Sequence, residues 1–329
     1  MTMASPRKSQ PMSTATLLRI ALLIALIVAF ALWNPAFISG RNIYALTQSF
    51  ALLGLVALGL SLTMIAGEFD LSVGSMVAVG GLLTLVAGGS NLLHGMGVAL
   101  AFAVVIGAAN AFVVNRFNVS SLVVTVGSMM ALSGFAFWLA GGKVISTDNF
   151  DLGFALDNPI LTVLSWRGVI TLAAFLLAGL FMRHTLMGRD IRVIGSKRLV
   201  AAASGAKVGL SLYIVFIVSA LCAALAGSLL SMSLASAAAT TGNTLMLQAV
   251  SAAIVGGVAL SGGAGSPLHV LIGSLILTVM NNGLSLMGMG ATGILFANGL
   301  VLMGIVLLDG QLGAWMSERF AASRARHSA

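Results

Sequence analysis

Long apolar runs separated by short polar breaks dominate the chain. The first extends from Leu17 to about Trp33, and nine more centre on residues 46–66, 71–90, 96–114, 122–140, 168–182, 211–232, 246–261, 268–287 and 294–309. A helix needs about 20 apolar residues to cross the hydrocarbon of a bilayer. Lipid offers no partner to exposed backbone groups, so helices are the spanning element. The pattern therefore predicts an all-α polytopic membrane protein with about ten transmembrane helices. The third and eighth runs are rich in Gly and Ser and sit beside Gly-dense breaks, which marks them as broken or re-entrant. Ala29-Phe30-Ala31 resembles a small-x-small cleavage site. The first run is longer than a signal-peptide core and more spans follow, so it is expected to remain as an uncleaved first span.

Composition narrows this further. Of 329 residues, 59% are hydrophobic and 7% charged, against about a quarter charged in a soluble domain. With a mean hydropathy of +1.09, the chain has too few polar groups to cover a water-facing surface. That excludes an ordinary soluble enzyme, a disordered tail and a nucleic-acid-binding domain.

The placement of the charges orients the spans. With the N-terminus inside and sides alternating, the inner segments hold Arg7, Lys8 and Arg19, then Arg116. Arg183, Arg189, Arg192, Lys197, Arg198 and Lys207 follow, and then Arg319, Arg324 and Arg326. Arg41, Lys143 and Arg167 are left outside. Such an excess of basic residues stays in the cytoplasm. Residues 1–16 and 311–329 are thus expected as cytoplasmic tails and 17–310 as a single membrane domain. Two connections are long. Residues 141–167 fall outside and carry Asp148, Asp151, Asp157 and Pro159. Residues 183–210 fall inside and contain the helix-prone stretch Leu199–Ala203. A short helix along the cytoplasmic face fits that segment, and so does a plain positive anchor.

Ionisable residues are costly in hydrocarbon and by default functional. Near the spans only Glu68, Asp70 and Asp309 qualify. So few relays disfavour a proton- or sodium-driven transporter, although backbone carbonyls also bind sodium. No catalytic elbow, His-Glu-x-x-His helix or close carboxylate pair occurs within a core span. The single cysteine, Cys222, reads as a packed apolar side chain, and the four histidines lack metal-ligand spacing. The densest polar feature is Gly67-Glu68-Phe69-Asp70-Leu71-Ser72-Val73-Gly74-Ser75. Asp70 or Ser72 is expected to cap the helix that follows, with Gly67 and Gly74 giving a turn or a close approach. A gate or partner contact is the functional alternative.

Uncharged polar groups are commoner: Asn110, Thr125, Ser128, Gln248, Ser251, Asn281, Asn282, Ser285 and Asn298. They can line a path for a neutral, hydroxyl-rich solute or bond helix to helix, at about 0.6 kcal/mol each. Gly107 and Ala111 beside Asn110 read as a close-packing face. No phosphate-binding Gly-x-x-x-x-Gly-Lys-Ser/Thr loop is present. Gly142-Lys143 and Ser196-Lys197 lack the upstream glycine and the following hydroxyl. The chain is a facilitator or channel, or it takes energy from a separate subunit docked on residues 183–210.

An ordered set of motifs resembles the permease subunit of bacterial ABC importers for monosaccharides, the ribose, arabinose and xylose type. It starts with Asn34-Pro35-x-Phe37, Asn42 and Gln48. Ala66-Gly67-Glu68-Phe69-Asp70-Leu71-Ser72-Val73-Gly74-Ser75 is similar to the family's Gly-Gly-Ile-Asp-Leu-Ser-Val-Gly-Ser. Asn110 and Thr125-Val126-Gly127-Ser128-Met129 follow. Thr185-x-x-Gly188-Arg189, Ile194-Gly195, Ala201 and Gly205 stand where the family has its cytoplasmic coupling segment. Ala226-Gly227, Gly256-Gly257, Gly262-Gly263-x-Gly265 and Asn282-Gly283-Leu284 complete the order.

The resemblance implies a dimer of permeases, identical or paired with a related chain, fed by a periplasmic sugar-binding protein. A separate ABC ATPase, expected to be tandem, would use the ATP, and this chain would bind no cofactor and no nucleic acid. The location implied is the bacterial inner membrane. Glu68, Asp70, Ser72, Asn110, Thr125 and Asn282 become candidates for the substrate pathway or gate. Gly188, Arg189, Gly195, Lys197, Arg198, Ala201 and Gly205 become candidates for ATPase coupling. Spans two to five and seven to ten are expected to be related by internal symmetry.

Three departures stand out. Glu68 replaces a usual glycine. Gly195-Ser196-Lys197-Arg198-Leu199-Val200-Ala201 replaces Gly-Gly-Asn-Glu-Glu-Ala-Ala. Met246 and Gln248 stand where a carboxylate is common. A permease for nucleosides, branched-chain amino acids or polyols is the nearest alternative, and a secondary transporter or intramembrane enzyme a more distant one.

Overall fold

In the computed structural model, residues 14–160 and 162–304 are described. The terminal basic residues Arg7, Lys8, Arg319, Arg324 and Arg326, together with Asp309 and the C-terminal tail, lie outside this range. Each apolar run has become a helix. The first half holds α1 (Thr14–Trp33), α2 (Gly40–Ile65), α3 (Val73–Gly88), α4 (Leu92–Phe117) and α5 (Ser121–Ala140). A connecting segment carries strand β1 (Ile145–Ser146) and helix α6 (Asp151–Asp157) before α7 (Trp166–His184). Then come α8 (Leu186–Ser196), α9 (Arg198–Ala203), α10 (Val208–Leu234) and strand β2 (Ser236–Ala237). The chain continues through α11 (Asn243–Val255), α12 (Pro267–Leu286) and α13 (Ala291–Gly304).

Local chemistry sets the ends. The hydroxyls of Ser39, Ser165, Thr185 and Ser266 accept backbone amides at the starts of α2, α7, α8 and α12. Such side-chain acceptors satisfy amides that a helix start leaves open. At the other end, Asn118 and Gly141 adopt the left-handed conformation that stops α4 and α5. The first helix begins at Thr14, inside the stretch expected as tail.

Among the described residues, seven helices are long and apolar enough to cross a membrane: α1, α2, α4, α5, α7, α10 and α12. The third and eighth runs give short helices, as their glycine content predicts, and the described part of the tenth, α13, is short as well. At 1.5 Å per residue, α3 and α11 reach only about 24 and 20 Å, against roughly 30 Å of hydrocarbon. They hold corresponding positions in spans two to five and seven to ten. Short, glycine-interrupted segments paired in this way are where transporter folds place their pathways. Their N-termini meet: a Cβ on Gly74 of α3 would stand 3.2 Å from the carbonyl of Gly242, the residue before α11.

The core forms around α2, of whose most apolar window 83% is buried. It packs against α7, α10, α11 and α12. Small residues permit the closest crossings, as in other membrane helix pairs. A Cβ on Gly80 of α3 would come 2.7 Å from the Ala224 backbone of α10. Gly107 of α4 meets Phe216 and Ile217 of α10 in the same manner, so Gly107 is the close-packing residue its spacing suggests. Cys222 is buried against Gly59. Helix α1 is peripheral and rests on α12, where Phe30 covers Gly283.

Contacts between connections sort them onto two faces. On one, β1 pairs antiparallel with β2, Ile145 opposite Ala237, and Asn149 donates to the Ser90 carbonyl at 3.0 Å. On the other, Phe69 N–H donates to Ser121 Oγ at 3.0 Å, and Gly263 N–H donates to the Ile65 carbonyl at 2.9 Å. Each contact joins connections that alternation of the spans puts on the same side.

The 183–210 connection differs from expectation in one respect. It contains two helices instead of one. The short helix foreseen at Leu199–Ala203 is α9, and α8 precedes it. In α8, Gly188, Ile191 and Ile194 face inward at a helical three-residue spacing. The interleaved Arg189, Asp190 and Arg192 mask that stripe in a reading of charge alone.

Candidate functional site

The candidate residues separate into three places. The first is a cleft of about 660 Å³ between α2, α11, α12 and α13, in the halves of those helices toward the β1–β2 face. Ser49 comes from α2, Thr244 and Gln248 from α11, and Thr292 from α13. Thr278, Asn281, Asn282 and Ser285 come from α12. Their spacing of i, i+3, i+4 and i+7 places four polar side chains on one helix face. The rest of the lining is apolar, and no charged residue takes part. Hydroxyls and amides both donate and accept hydrogen bonds, so such a wall suits a solute with many hydroxyls.

Of the six expected pathway or gate residues, only Asn282 reaches this cleft, and its amide is already engaged. Asn42 Nδ2 donates to Asn282 Oδ1 and Asn282 Nδ2 to Asn42 Oδ1, both at 2.9 Å. The neighbouring Asn281 is the freer group, because its Oδ1 is buried without a partner. Ser49, Thr244, Thr278 and Thr292 were not singled out by sequence. The helical spacing along α12 is the signal that finds Thr278.

The second place is a lattice around the segment before α3. Asp70 is buried, and its Oδ1 accepts from the amide of Ser72 at 3.1 Å and from the Ser72 hydroxyl. Asn110 Nδ2 donates to Ser72 Oγ at 3.3 Å, and the Ser128 hydroxyl donates to Asn110 Oδ1. Thr125 Oγ1 lies 3.1 Å from the Phe69 carbonyl, whose own amide is held by Ser121. Asp70 therefore acts as the turn-forming acceptor. Ser72 occupies the N-cap position of α3 without making a side-chain cap bond. Asp70, Ser72, Asn110 and Thr125 fix the shape of the segment before α3 and do not line the cleft.

The third place joins that segment to α8 and α9. Three backbones stack with no side chain between them: Gly67, Gly195 at the end of α8, and Gly262-Gly263. A Cβ on Gly262 would come 2.6 Å from Gly67 Cα and 2.8 Å from the Gly195 carbonyl. A Cβ on Gly195 would overlap the Ile65 carbonyl. Gly67, Gly262 and Gly263 also have φ near +80°, a region that favours glycine. Beside this stack Arg198 Nη1 lies 3.2 Å from Glu68 Oε1. Burial pushes the Glu68 carboxyl above its usual range, while a hydrogen bond from Ser121 and the Arg198 charge pull it down.

The remaining coupling candidates divide by role. Gly188 lets the start of α8 touch the Met182 backbone, Ala201 is buried, and Gly205, with φ +84°, follows the end of α9. Asp190 accepts from the Lys207 amide at 3.3 Å, which ties α8 to the start of α10. Arg189 and Lys197 are exposed. Leu199 is 87% exposed and Leu186 72%. Arg198 turns inward, so apolar side chains accompany Lys197 on the outer surface of α9.

On the opposite face Asp157 gathers three helices. It lies 2.6 Å from Arg167 Nε at the start of α7 and accepts from Gln48 of α2 and from Ser233 of α10. Ser165 Oγ donates to Gln48 Oε1 at 2.7 Å.

Comparison with known proteins places this architecture. The chain is 30% identical to the ribose import permease protein RbsC of Escherichia coli (strain K12), over 87% of this chain and 92% of the relative. It is 29% identical to the L-arabinose transport system permease protein AraH of the same organism, over 86% and 87%. To the autoinducer 2 import system permease protein LsrC of Enterobacter sp. (strain 638) it is 30% identical, over 88% and 85%. No solved structure matches. A family model described as the permease component of the branched-chain amino acid transport system matches residues 42–308. The family match spans the glycine stack, the cleft residues and the α8–α9 unit, and the chain belongs to this family of import permeases.

Proposed function

We propose that this chain is the membrane subunit through which an ATP-driven importer passes a small neutral sugar. The observation that carries the reading is the uncharged cleft, lined by hydroxyls and amides from four helices. A solute with an ammonium and a carboxylate would lose its hydration there without gaining an opposite charge, at a cost of several kcal/mol per ion. The family model is described for branched-chain amino acids, whereas the relatives named above are permeases for ribose and L-arabinose. The cleft favours the second group. Its volume also falls within the roughly 300–1,000 Å³ of small-molecule sites.

The basic residues on the α8–α9 side support a cytoplasmic position for that face. The cleft then opens outward, toward a periplasmic sugar-binding protein, and the β1–β2 face with Asp157 lies under it. A partner ATPase docks on α8–α9, where Leu199 and Leu186 offer exposed apolar contacts. Pressure on that unit reaches α2, α3 and α11 through the glycine stack and the Glu68–Arg198 pair. The inner membrane, a second permease copy and both partners complete the assembly.

Uptake competition tests the substrate class. In cells expressing the full importer, unlabelled pentoses should displace a labelled sugar substrate while leucine does not. Transport of labelled leucine by the same cells would overturn the reading.

A further inference from the structure

A second large cleft, of about 520 Å³, lies between α7 and the start of α12, on the α8 side of the membrane. One wall is a stripe on α7 made by Leu172, Leu176 and Leu180, all exposed. The stripe runs into Arg183 at the helix end, and Arg192 of α8 joins it there. No carboxylate lines the cleft, and no described ion pair engages either arginine. Ser266 and Pro267, which open α12, border the same corner, so the positive end of that helix points to it.

The dimensions decide what fits. From Leu172 to Arg183 the helix rises about 16 Å, close to the roughly 15 Å depth of one hydrocarbon leaflet. An apolar wall one leaflet deep that ends in unpaired cations has the polarity of a single phospholipid. We infer that this cleft binds an anionic phospholipid of the leaflet on the α8 side, its phosphate between Arg183 and Arg192 and an acyl chain along α7. The site goes beyond the transport reading and does not rest on it. It would tie lipid charge to the joint between α7 and α8.

Gly179 supplies a clean probe. It lines the cleft, and a Cβ placed on it meets nothing within 4 Å. Gly179→Phe therefore projects a ring toward the acyl groove from a position where its Cβ meets no neighbour.

Native mass spectrometry of the full chain, released from nanodiscs of mixed phosphatidylglycerol and phosphatidylcholine with matched acyl chains, tests the inference. The wild type should retain phosphatidylglycerol preferentially. The double variant Arg183→Gln and Arg192→Gln should lower that preference by about fivefold per charge removed. Gly179→Phe should reduce retention of both lipids, and inorganic phosphate at equal concentration should not displace the bound lipid. Equal retention of the two lipids, or retention unchanged in both variants, would overturn the site. So would displacement by inorganic phosphate, which would make it a soluble-anion site. Conversion of a dimer to monomers by Gly179→Phe would also overturn it, by making the cleft an interface between copies of this chain.

Discussion

Arg198 Nη1 lies 3.2 Å from Glu68 Oε1, across a sequence separation of 130 residues. Each departs from the pattern the family resemblance suggests: Glu68 stands for a glycine and Arg198 for a glutamate. Neither substitution makes sense by itself. A lone carboxylate in the segment before α3 would be buried without a counter-charge, and an arginine in the segment after α8 would add a charge without a partner. Together they close a bond between the loop before α3 and α9, the helix proposed as part of the ATPase docking surface.

The first prediction follows from that pair. Glu68→Ala and Arg198→Ala should each weaken coupling, seen as a drop of about fivefold in substrate-stimulated ATP hydrolysis by the assembled importer. That corresponds to the upper end, about 1 kcal/mol, for a partly exposed ion pair. The exchange Glu68→Arg with Arg198→Glu should restore most of it. A swap as defective as the single variants would show that the charges act separately.

The Glu68 carboxyl also gives a pH signature. Burial raises its pKa despite the Arg198 charge, so the native state holds the proton more tightly than the unfolded chain does. Its contribution to stability is complete below the unfolded value and is lost as pH rises through the native one. The wild type should thus lose thermal stability over the window just above the ordinary carboxylate range. Glu68→Gln should lack that component. Parallel stability curves for the two proteins over this window would contradict the assignment.

Gly195→Ala should be among the most damaging single-methyl changes, because its Cβ overlaps the Ile65 carbonyl. Overpacking of this kind costs about 1–3 kcal/mol or more. Gly97→Ala in α4 meets nothing within 4 Å and should be neutral or stabilising by up to about 1 kcal/mol. Thermal unfolding in detergent would separate the two.

In the cleft, Gln248→Leu and Thr278→Val remove hydrogen-bonding groups and nearly preserve volume. Each should lower uptake by about fivefold, equivalent to a hydrogen bond of roughly 1 kcal/mol, with unchanged abundance in the membrane. Asn282→Leu should instead lower abundance, because its amide bonds Asn42. Quantitative blotting beside uptake distinguishes the two outcomes.

Much of the fold is legible in the sequence because lipid imposes a length and an apolarity on every span. The shortness of α3 and α11 shows in their Gly and Ser content. Helix α8 escapes because its inward stripe is short and interrupted by charge. The site is less legible. Asp70, Ser72, Asn110 and Thr125 attract notice as polar groups near spans, yet their hydrogen bonds are made within the protein. The cleft depends on how four distant helices face one another, which no local pattern encodes. Only the i, i+3, i+4, i+7 spacing on α12 hints at it. The Glu68–Arg198 pair is likewise visible as two anomalies whose common cause is tertiary.

The central claim is that ATP hydrolysis by a partner, delivered through α8–α9, drives a neutral sugar through this chain. Proteoliposomes holding the permease, its ATPase and the sugar-binding protein measure this directly. Accumulation of sugar should require internal or external ATP on the α8–α9 side, survive collapse of ion gradients, and fall sharply with Leu199→Asp. Accumulation that ignores ATP and disappears with an ion gradient would contradict the account.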